Sequence, residues 1–265
     1  MRIFFSVGEP SGDLHGANLI RRLKSRDSAI ECVGLGGPKM QAAGCDLHFD
    51  LTSLAVMFLA SVLKNIRLFF RLIAEADRYL ETHQVDAVVL IDYAGFNWWI
   101  ARKAKKHGIP VFFYGVPQVW AWAPWRIRKI QKLVDHVLCK LPFEAGWFEQ
   151  RNCHATYVGH PYFDQLVHQE YDSAFAEKLL HSNKKLITLL PGSRNQEVKS
   201  VLPILLDTAK AILQEDETCR FAIAFYNESQ RQESSELIAQ SNVAVEAYVG
   251  KTPELMRAAY ACVAC

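Results

Sequence analysis

Short runs of apolar residues alternate with longer amphipathic stretches along the whole chain of 265 residues. The short runs predict buried β-strands, whereas the longer stretches repeat apolar residues at the spacing of an α-helix. Regular alternation of strand and helix is typical of parallel sheets whose strands are joined by right-handed helical crossovers. The predicted strands are Ile3–Val7, Glu31–Gly34, Ala87–Ile91, Val111–Tyr114, His136–Leu138, Ala155–Val158, Leu186–Leu190, Phe221–Phe225, Val243–Ala247 and a last one from Cys262 onward. The predicted helices are Leu14–Lys24, Leu63–Leu80, Trp98–Lys106, Trp125–Leu133, Glu144–Arg151, Ser200–Leu213 and Asn227–Ser241.

The alternation pauses near Gly159-His160-Pro161, and a polar stretch from Gln165 to Lys185 separates two alternating blocks. Domain boundaries fall in such polar connections. We therefore expect two Rossmann-like parallel-sheet domains that face a cleft, formed by residues 1–163 and 164–265. Because the second block has few strands, we expect the second domain to be incomplete.

The segment Leu54–Leu63 is apolar except for Ser61 and is followed by Phe69 and Phe70. Apolar stretches of this length are too short to span a bilayer, which needs about 20 residues. The pattern fits a helix with a broad apolar face. Such a face packs in a protein core or lies in a membrane interface, and the sequence does not separate the two. The N-terminus enters a predicted strand directly, so we expect no signal peptide.

Charge and cysteine content refine this picture. The net charge is only +2, but the segment from Ala101 to Lys140 holds nine Lys or Arg residues and one acid, Asp135. A basic region of this kind favours an anionic surface such as lipid headgroups or phosphate, or forms a solvated helix face. The seven cysteines lack framework or metal-ligand spacing. We therefore expect a reducing, cytoplasmic environment and no metal site.

An unusual segment follows the predicted strand that ends at Tyr114. It runs Gly-Val-Pro-Gln-Val-Trp-Ala-Trp-Ala-Pro-Trp-Arg126 and carries three Trp residues. Open α/β sheets bind ligands beside the carboxyl ends of their strands. Trp on such a loop favours a flat or apolar ligand, although the same rings would also fill a gap between the sheet and the next helix.

The first predicted strand leads into Gly8-Glu-Pro-Ser-Gly-Asp-Leu-His-Gly16. Its glycines permit a tight turn and a close approach of ligand to backbone, and Ser11 or Asp13 is a candidate cap for the following helix. The helix N-terminus would offer N–H groups to phosphate or sugar oxygens. The spacing is not that of a nicotinamide-binding turn, so we expect no such cofactor. Glu9 and His15 are unexplained by a simple capped turn.

Two further strand ends carry candidate chemistry. Asp92 follows the apolar run Ala87–Ile91, where partial burial favours service as a general base. Asp92 and Asn97 are alternatively caps of the next helix. In the second block, Leu189-Leu-Pro-Gly-Ser-Arg194 joins a strand to a helix start, an arrangement typical of anion binding, and Arg194 suits a pyrophosphate.

Taken together, these motifs resemble the lipid-A-disaccharide synthase family. The matching segments are Gly8-Glu-x-Ser-Gly-Asp13, Gly37-Pro-x-Met40, Leu54-Ala-Val-Met57, Ile91-Asp92 with Phe96-Asn97, Pro117-x-Val-Trp-Ala-Trp122, Leu141-Pro-Phe-Glu144, Val158-Gly-His-Pro161 and Leu189-Leu-Pro-Gly-Ser-Arg194. Phe58, Ser61 and Ala94-Gly95 depart from the family pattern.

The resemblance implies an inverting, metal-independent glycosyltransferase of GT-B fold without a cofactor, in lipid A and hence lipopolysaccharide biosynthesis of Gram-negative bacteria. Such an enzyme joins UDP-2,3-diacylglucosamine to 2,3-diacylglucosamine 1-phosphate (lipid X) and releases UDP, forming the β-1,6 disaccharide 1-phosphate. The family extends beyond position 265 with a uridine-binding motif and helices exchanged between subunits, so a homodimer is expected only with that part. We expect a cytoplasmic protein, peripheral on the inner face of the inner membrane, and no nucleic-acid partner.

The site residues are also implied by the resemblance. Asp92 is the expected base. Substrate contacts are expected from Glu9, Ser11, Gly12, Asp13, His15, Met57, Asn97, Gln118, Trp120, Trp122 and His160, and contacts to UDP or phosphate from Gly192, Ser193, Arg194 and Glu197. The alternatives are another GT-B enzyme such as a UDP-sugar epimerase, or a catalytically inactive fragment that binds lipid or membrane.

Overall fold

A computed structural model describes residues 1–55, 66–167 and 171–264. The described chain divides into two compact units, Met1–Val167 and His168–Cys265. We call them unit 1 and unit 2. Each unit is an open sheet of parallel strands joined by helices, so the strand–helix alternation is confirmed.

Unit 1 contains a parallel sheet of seven strands in the order β3-β2-β1-β4-β5-β6-β7. The strands are β1 (Arg2–Val7), β2 (Glu31–Gly36), β3 (Cys45–Asp50), β4 (Ala87–Ile91), β5 (Val111–Tyr114), β6 (His136–Cys139) and β7 (Ala155–Tyr157). Its helices are α1 (Pro10–Arg26), α2 (Pro38–Ala42), α3 (Thr52–Ala55), α4 (Ile66–Thr82), α5 (Ala94–Lys106), α6 (Val119–Trp122), α7 (Ile127–Leu133), α8 (Pro142–Glu149) and α9 (Pro161–Val167), with a 3-10 turn at Pro124–Arg126.

Both faces of this sheet are buried, which explains why its central strands are apolar at nearly every position. In β1, Phe4 packs in one hydrophobic cluster with α4, α5, α7 and α8. Its neighbour Phe5 belongs to the cluster on the opposite face, with α1 and α2. Adjacent strand residues thus serve opposite layers, as the alternation of side chains across a strand requires.

Unit 2 contains a parallel sheet of four strands in the order β10-β9-β8-β11. The strands are β8 (Lys185–Leu190), β9 (Cys219–Phe225), β10 (Val245–Val249) and β11 (Ala261–Ala264). Helices α11 (Asn195–Glu215) and α12 (Glu228–Gln240) pack on one face. Helices α10 (Ser173–Leu180) and α13 (Thr252–Ala258) belong to the other.

Several element boundaries differ from the sequence predictions. Strand β3 was not predicted because Asp46, His48 and Asp50 interrupt its apolar pattern, and its place at the sheet edge permits this. Helix α10 lies inside the stretch that we interpreted as a polar connection. The Asp172 carboxylate accepts a hydrogen bond from the Phe175 N–H at its start, and Leu179 is buried.

The starts of α1 and α5 also required correction. Helix α1 begins at Pro10, so Ser11 and Asp13 lie within its first turn and do not cap it. Helix α5 begins at Ala94, earlier than the predicted Trp98, and neither Asp92 nor Asn97 caps it. Among the described residues, no helix combines the length and the hydropathy needed to cross a membrane. The segment Leu54–Leu63 lies outside the described residues except for its first two positions.

Candidate active site

A cleft of about 420 Å³ lies in unit 1 beside the carboxyl ends of its central strands. The strand order reverses between β1 and β4, and this switch point leaves a crevice where open α/β sheets bind ligands. The chain leaving β1, β4, β5 and β6 contributes most of the lining. The lining residues are Glu9, Ser11, His15, Asp92, Tyr93, Ala94, Gly115, Pro117, Lys140, His160 and Tyr162.

Asp92 follows β4 directly and lines this cleft. Its φ of 48° and the φ of 40° at Tyr93 both lie in the left-handed region, which residues other than glycine rarely occupy. Residues in that region cost about 1–3 kcal/mol each and occur preferentially at functional sites. The Asp92 side chain is 19% exposed, and its Oδ1 lies 3.5 Å from Nζ of Lys140.

Asn97 stabilises the unusual backbone at Asp92. Its side chain is buried, and Nδ2 donates to the carbonyl oxygens of Ser6, Ile91 and Asp92 at 3.1, 3.2 and 2.8 Å. Its Oδ1 accepts a hydrogen bond of 2.7 Å from the Ser6 hydroxyl. The amide therefore joins the ends of β1 and β4. Because the polar atoms of Asn97 bond to other residues of the protein, the geometry indicates that Asn97 supports the cleft from inside the fold rather than contacting substrate directly.

Three rings form another part of the cleft wall. The rings of His160 and Tyr162 are stacked with centroids 5.2 Å apart, and His15 meets Tyr162 edge-on at 6.0 Å. Burial lowers the pKa of His15 below its ordinary value. The negative charge of Asp92 opposes this shift, and the charge of Lys140 adds to it. His15 is therefore favoured as a neutral imidazole near pH 7.

Asp13 lies in the first turn of α1, where its side chain is buried and does not line the cleft. Its carboxylate accepts hydrogen bonds of 3.0 Å from the backbone N–H groups of Gly37, Lys39 and Met40. These groups lie at the start of α2, so Asp13 caps that helix rather than its own. Gly12 adjoins the cleft, since a Cβ there would stand 3.3 Å from Oδ2 of Asp92.

The tryptophan segment after β5 is partly anchored and partly exposed. Nε1 of Trp120 donates a hydrogen bond of 3.0 Å to the buried carboxylate of Glu144, whose other oxygen accepts from the N–H groups of Lys140 and Leu141. Trp122 is 56% exposed, and Gln118 is also exposed. Glu144 thus connects the segment to the turn that follows β6.

The second candidate set forms its own turn in unit 2. Gly192, with φ of 112°, and Ser193 connect β8 to α11. Oε2 of Glu197 accepts from the N–H groups of Ser193 and Arg194 at 3.1 Å, and Oε1 lies 3.0 Å from Nη1 of Arg194. These hydrogen bonds lower the pKa of Glu197. The Arg194 side chain is 72% exposed, so its guanidinium is accessible from solvent.

The structure therefore brings Glu9, Ser11, His15, Asp92 and His160 into one cleft. Met57 lies outside the described residues. Lys140 was not among the predicted site residues, although it follows the end of β6 as Asp92 follows β4. Nor was Gln230, whose buried amide donates to the Ser193 carbonyl at 2.9 Å and supports the unit 2 turn. An isolated Gln within a helix gives no such signal.

Solved structures share the fold of this chain at low sequence identity. UDP-GlcNAc 2-epimerase from Neisseria meningitidis, bound to UDP-GlcNAc, matches with a TM-score of 0.64 and 12% identity, covering 100% of this chain and 77% of that one. MurG from Acinetobacter baumannii matches with a TM-score of 0.51 and 14% identity, covering 94% and 66%. The expected α/β fold of GT-B type is confirmed.

Relatives identified by sequence indicate the family, whereas the solved structures show only the fold. A lipid-A-disaccharide synthase of Trichlorobacter lovleyi is 38% identical over 80% of this chain and 56% of its own length. Those of Geobacter sulfurreducens and Myxococcus xanthus are 32% and 33% identical, over 97% and 99% of this chain and 67% and 69% of theirs. The chain spans little more than half the length of the first of these relatives.

The family model described as lipid-A-disaccharide synthetase matches residues 3–265, nearly the whole sequence. This match covers the cleft of unit 1 and the Gly-Ser-Arg turn of unit 2, so the resemblance inferred from the motifs is confirmed. The chain belongs to the lipid-A-disaccharide synthase family.

Proposed function

We propose that this chain carries the sugar-transfer chemistry of its family, joining UDP-2,3-diacylglucosamine to 2,3-diacylglucosamine 1-phosphate. The observation that carries the proposal is the placement of Asp92, a partly buried carboxylate on a constrained turn that lines a cleft at a topological switch point. Family membership supplies the substrate class.

In this mechanism Asp92 accepts the proton of the acceptor's 6-hydroxyl as its oxygen attacks the anomeric carbon of the donor. A new carbon–oxygen bond forms while the bond to UDP breaks, and its electron pair leaves with the diphosphate. Attack from the face opposite UDP inverts the anomeric centre. A positioned base contributes about 100- to 10,000-fold to such a step. His15, His160, Glu9 and Ser11 are the candidate contacts to the sugar hydroxyls.

Unit 2 would bind the leaving UDP. Arg194 offers a planar fork that fits a diphosphate better than a lysine does, and it lies at the N-terminus of α11, where the helix dipole favours anions. Nη1 of Arg194 donates a hydrogen bond of 3.0 Å to Oε1 of Glu197. We propose that Glu197 orients Arg194 and is replaced by phosphate oxygens when UDP binds. No metal or cofactor is required in this scheme.

The acylated substrates require contact with a membrane. Phe70 is 52% exposed, Trp99 lies 6.1 Å from it, and the guanidinium of Arg102 stands over the Trp99 ring. Exposed aromatic rings beside a cation suit the headgroup region of a bilayer. Phe69 instead packs against the buried Phe96 at 4.8 Å, so only part of the predicted apolar face is accessible. Homodimer formation stays a prediction.

The decisive experiment is a transfer assay in mixed micelles that contain both acylated substrates. It compares the purified unmodified chain with the Asp92→Asn variant. We expect conversion of labelled acceptor to disaccharide 1-phosphate with release of UDP, and a loss of about two to four decades in kcat for the variant. Its thermal midpoint should match that of the unmodified chain, because the substitution preserves shape.

Three results would contradict the proposal. They are near-native turnover by Asp92→Asn, absence of transfer by the unmodified chain, and isomerisation of UDP-GlcNAc in place of transfer. The last would favour the epimerase alternative. Liposome binding without transfer would favour an inactive lipid-binding fragment.

A further inference from the structure

Lys140 contributes the one Lys or Arg side chain among the described residues that line the unit 1 cleft. It follows β6, two strands away from Asp92 in the sheet. Its Nζ lies 3.5 Å from Oδ1 of Asp92, and the two side chains are only 25% and 19% exposed. Partial burial reduces the solvent screening that makes exposed ion pairs ineffective, so even this long contact constrains the carboxylate.

The surroundings of Asp92 distinguish its two oxygens. A Cβ at Gly115, whose φ is +66°, would stand 2.7 Å from Oδ1 and 2.9 Å from Nζ of Lys140. A Cβ at Gly12 would stand 3.3 Å from Oδ2. The carboxylate therefore lies between two glycines, with Lys140 at Oδ1 and the first turn of α1 beside Oδ2.

The Asp92 backbone is held by Asn97, but Asn97 touches only its carbonyl oxygen. The terminal torsion of an aspartate is broad and roughly two-fold, so a fixed backbone does not fix the carboxylate plane. Lys140 is the cationic contact of this carboxylate among the described residues. Its removal would leave the plane free to rotate.

We propose that Lys140 is a positioning residue that holds Oδ1 of Asp92, so that Oδ2 receives the proton of the attacking hydroxyl. This inference rests on the proposed function, since it concerns the same base. It requires no contact between Lys140 and the substrate. Lys140 therefore acts on the rate of the chemical step and leaves acceptor binding unchanged.

The test compares Lys140→Met, Lys140→Arg and Lys24→Met in the transfer assay with the full chain. Lys24 is a half-buried lysine in the last turn of α1, the opposite end from the cleft, and its loss removes the same charge. We expect Lys140→Met to lower kcat by about 10- to 100-fold, the scale for misplacement of a reacting group. The acceptor KM should stay within about two-fold, Lys140→Arg should recover part of the rate, and Lys24→Met should not change it.

A double-mutant cycle with Asp92→Asn separates positioning from a direct role. If Lys140 acts through Asp92, Lys140→Met causes no further loss once the carboxylate is gone. A further loss of similar size, or an effect confined to acceptor KM, would overturn the proposal and would indicate that Lys140 contacts substrate. The same conclusion would follow if the loss disappeared with an acceptor lacking the 1-phosphate.

A spectroscopic arm tests the contact independently of activity. The carboxyl ¹³C resonance of Asp92, identified by its disappearance in Asp92→Asn, should shift in Lys140→Met and stay in place in Lys24→Met. An unchanged resonance would overturn the contact. If the unmodified chain transfers no sugar, the proposed function fails and the positioning role fails with it. Transfer that is insensitive to Lys140→Met overturns only the positioning role.

Discussion

Asn97→Ala is expected to destabilise unit 1 strongly. The substitution removes an amide that is fully buried and that joins β1 to the turn after β4. It leaves the Ser6 hydroxyl, itself buried, without its acceptor and the Asp92 carbonyl without its closest donor. Counting only these two groups, at about 1–3 kcal/mol for each polar group left unsatisfied, we expect a loss of about 2–6 kcal/mol.

The assay can be confined to unit 1 because all six Trp residues lie between positions 98 and 147. Tryptophan fluorescence during urea denaturation therefore reports the unfolding of this unit. For a domain of this size, a loss of about 3 kcal/mol lowers the thermal midpoint by about 10 °C. Asn18→Ala, a partly exposed asparagine on α1, should change stability by less than about 0.5 kcal/mol.

The hydrogen bond between Ser6 and Asn97 should make their substitutions energetically coupled. Ser6→Ala and Asn97→Ala should be non-additive by about 1 kcal/mol, because each removes the same hydrogen bond. Asn97→Asp should cost at least as much as Asn97→Ala, since it turns a donor facing three carbonyl oxygens into an acceptor. A loss below about 1 kcal/mol for Asn97→Ala, or full additivity with Ser6→Ala, would refute this account of the turn.

Three further predictions concern phosphate, membrane and pH. Arg194→Lys should weaken UDP binding measured by calorimetry at least about ten-fold, because it keeps charge but loses the fork; equal affinity of Arg194→Ala and the unmodified chain would refute the role. Phe70→Glu should reduce liposome sedimentation without lowering the thermal midpoint, whereas Phe69→Glu should lower the midpoint; the reverse pattern would exclude this face. Burial lowers the pKa of His15 in the folded state below its unfolded-state pKa of about 6.5. The stability that this difference contributes is present above about pH 6.5 and is lost as the pH falls through the folded-state pKa. His15→Leu should therefore lose less stability on acidification than the unmodified chain. The pKa of His48 is lowered by burial too, so an unchanged acid profile in His15→Leu would assign the effect to His48.

The alternation of strands and helices along the chain, and the location of candidate site residues at strand ends, were predictable from the sequence because both depend on local patterns. Apolar runs predicted every strand among the described residues except β3, as in β4, where Asp92 marks the end of the run. Ligands of open parallel sheets bind beside the carboxyl ends of the strands. This rule predicted that Glu9, Asp92 and the tryptophan segment lie at the same edge of the sheet.

The roles of individual polar residues were less predictable because they depend on contacts distant in sequence. Asp13 was interpreted as a cap for its own helix, yet its partners are N–H groups more than twenty residues later. Asn97 was considered a helix cap, yet it bonds to Ser6 across the sheet. Lys140 follows the end of β6, but its contact with Asp92 could not be predicted because it depends on the arrangement of β6 and β4 in the sheet.

These contacts explain how a strained turn persists at the end of β4. Two consecutive left-handed residues cost about 1–3 kcal/mol each, and Asp92 tolerates this region better than the bulky Tyr93 does. The cost is offset by the buried amide of Asn97, which donates a hydrogen bond to the Asp92 carbonyl oxygen. This bond fixes the position of the backbone from which the carboxylate side chain of Asp92 extends. Glycines at positions 12 and 115 leave room around that carboxylate, and Lys140 contacts one of its oxygens. Hydrogen bonds within the core thus hold the backbone of the proposed base, whereas Lys140 contacts its side chain in the cleft. We therefore expect mutation of Asn97 to lower mainly the stability, and mutation of Lys140 to lower mainly the rate of transfer.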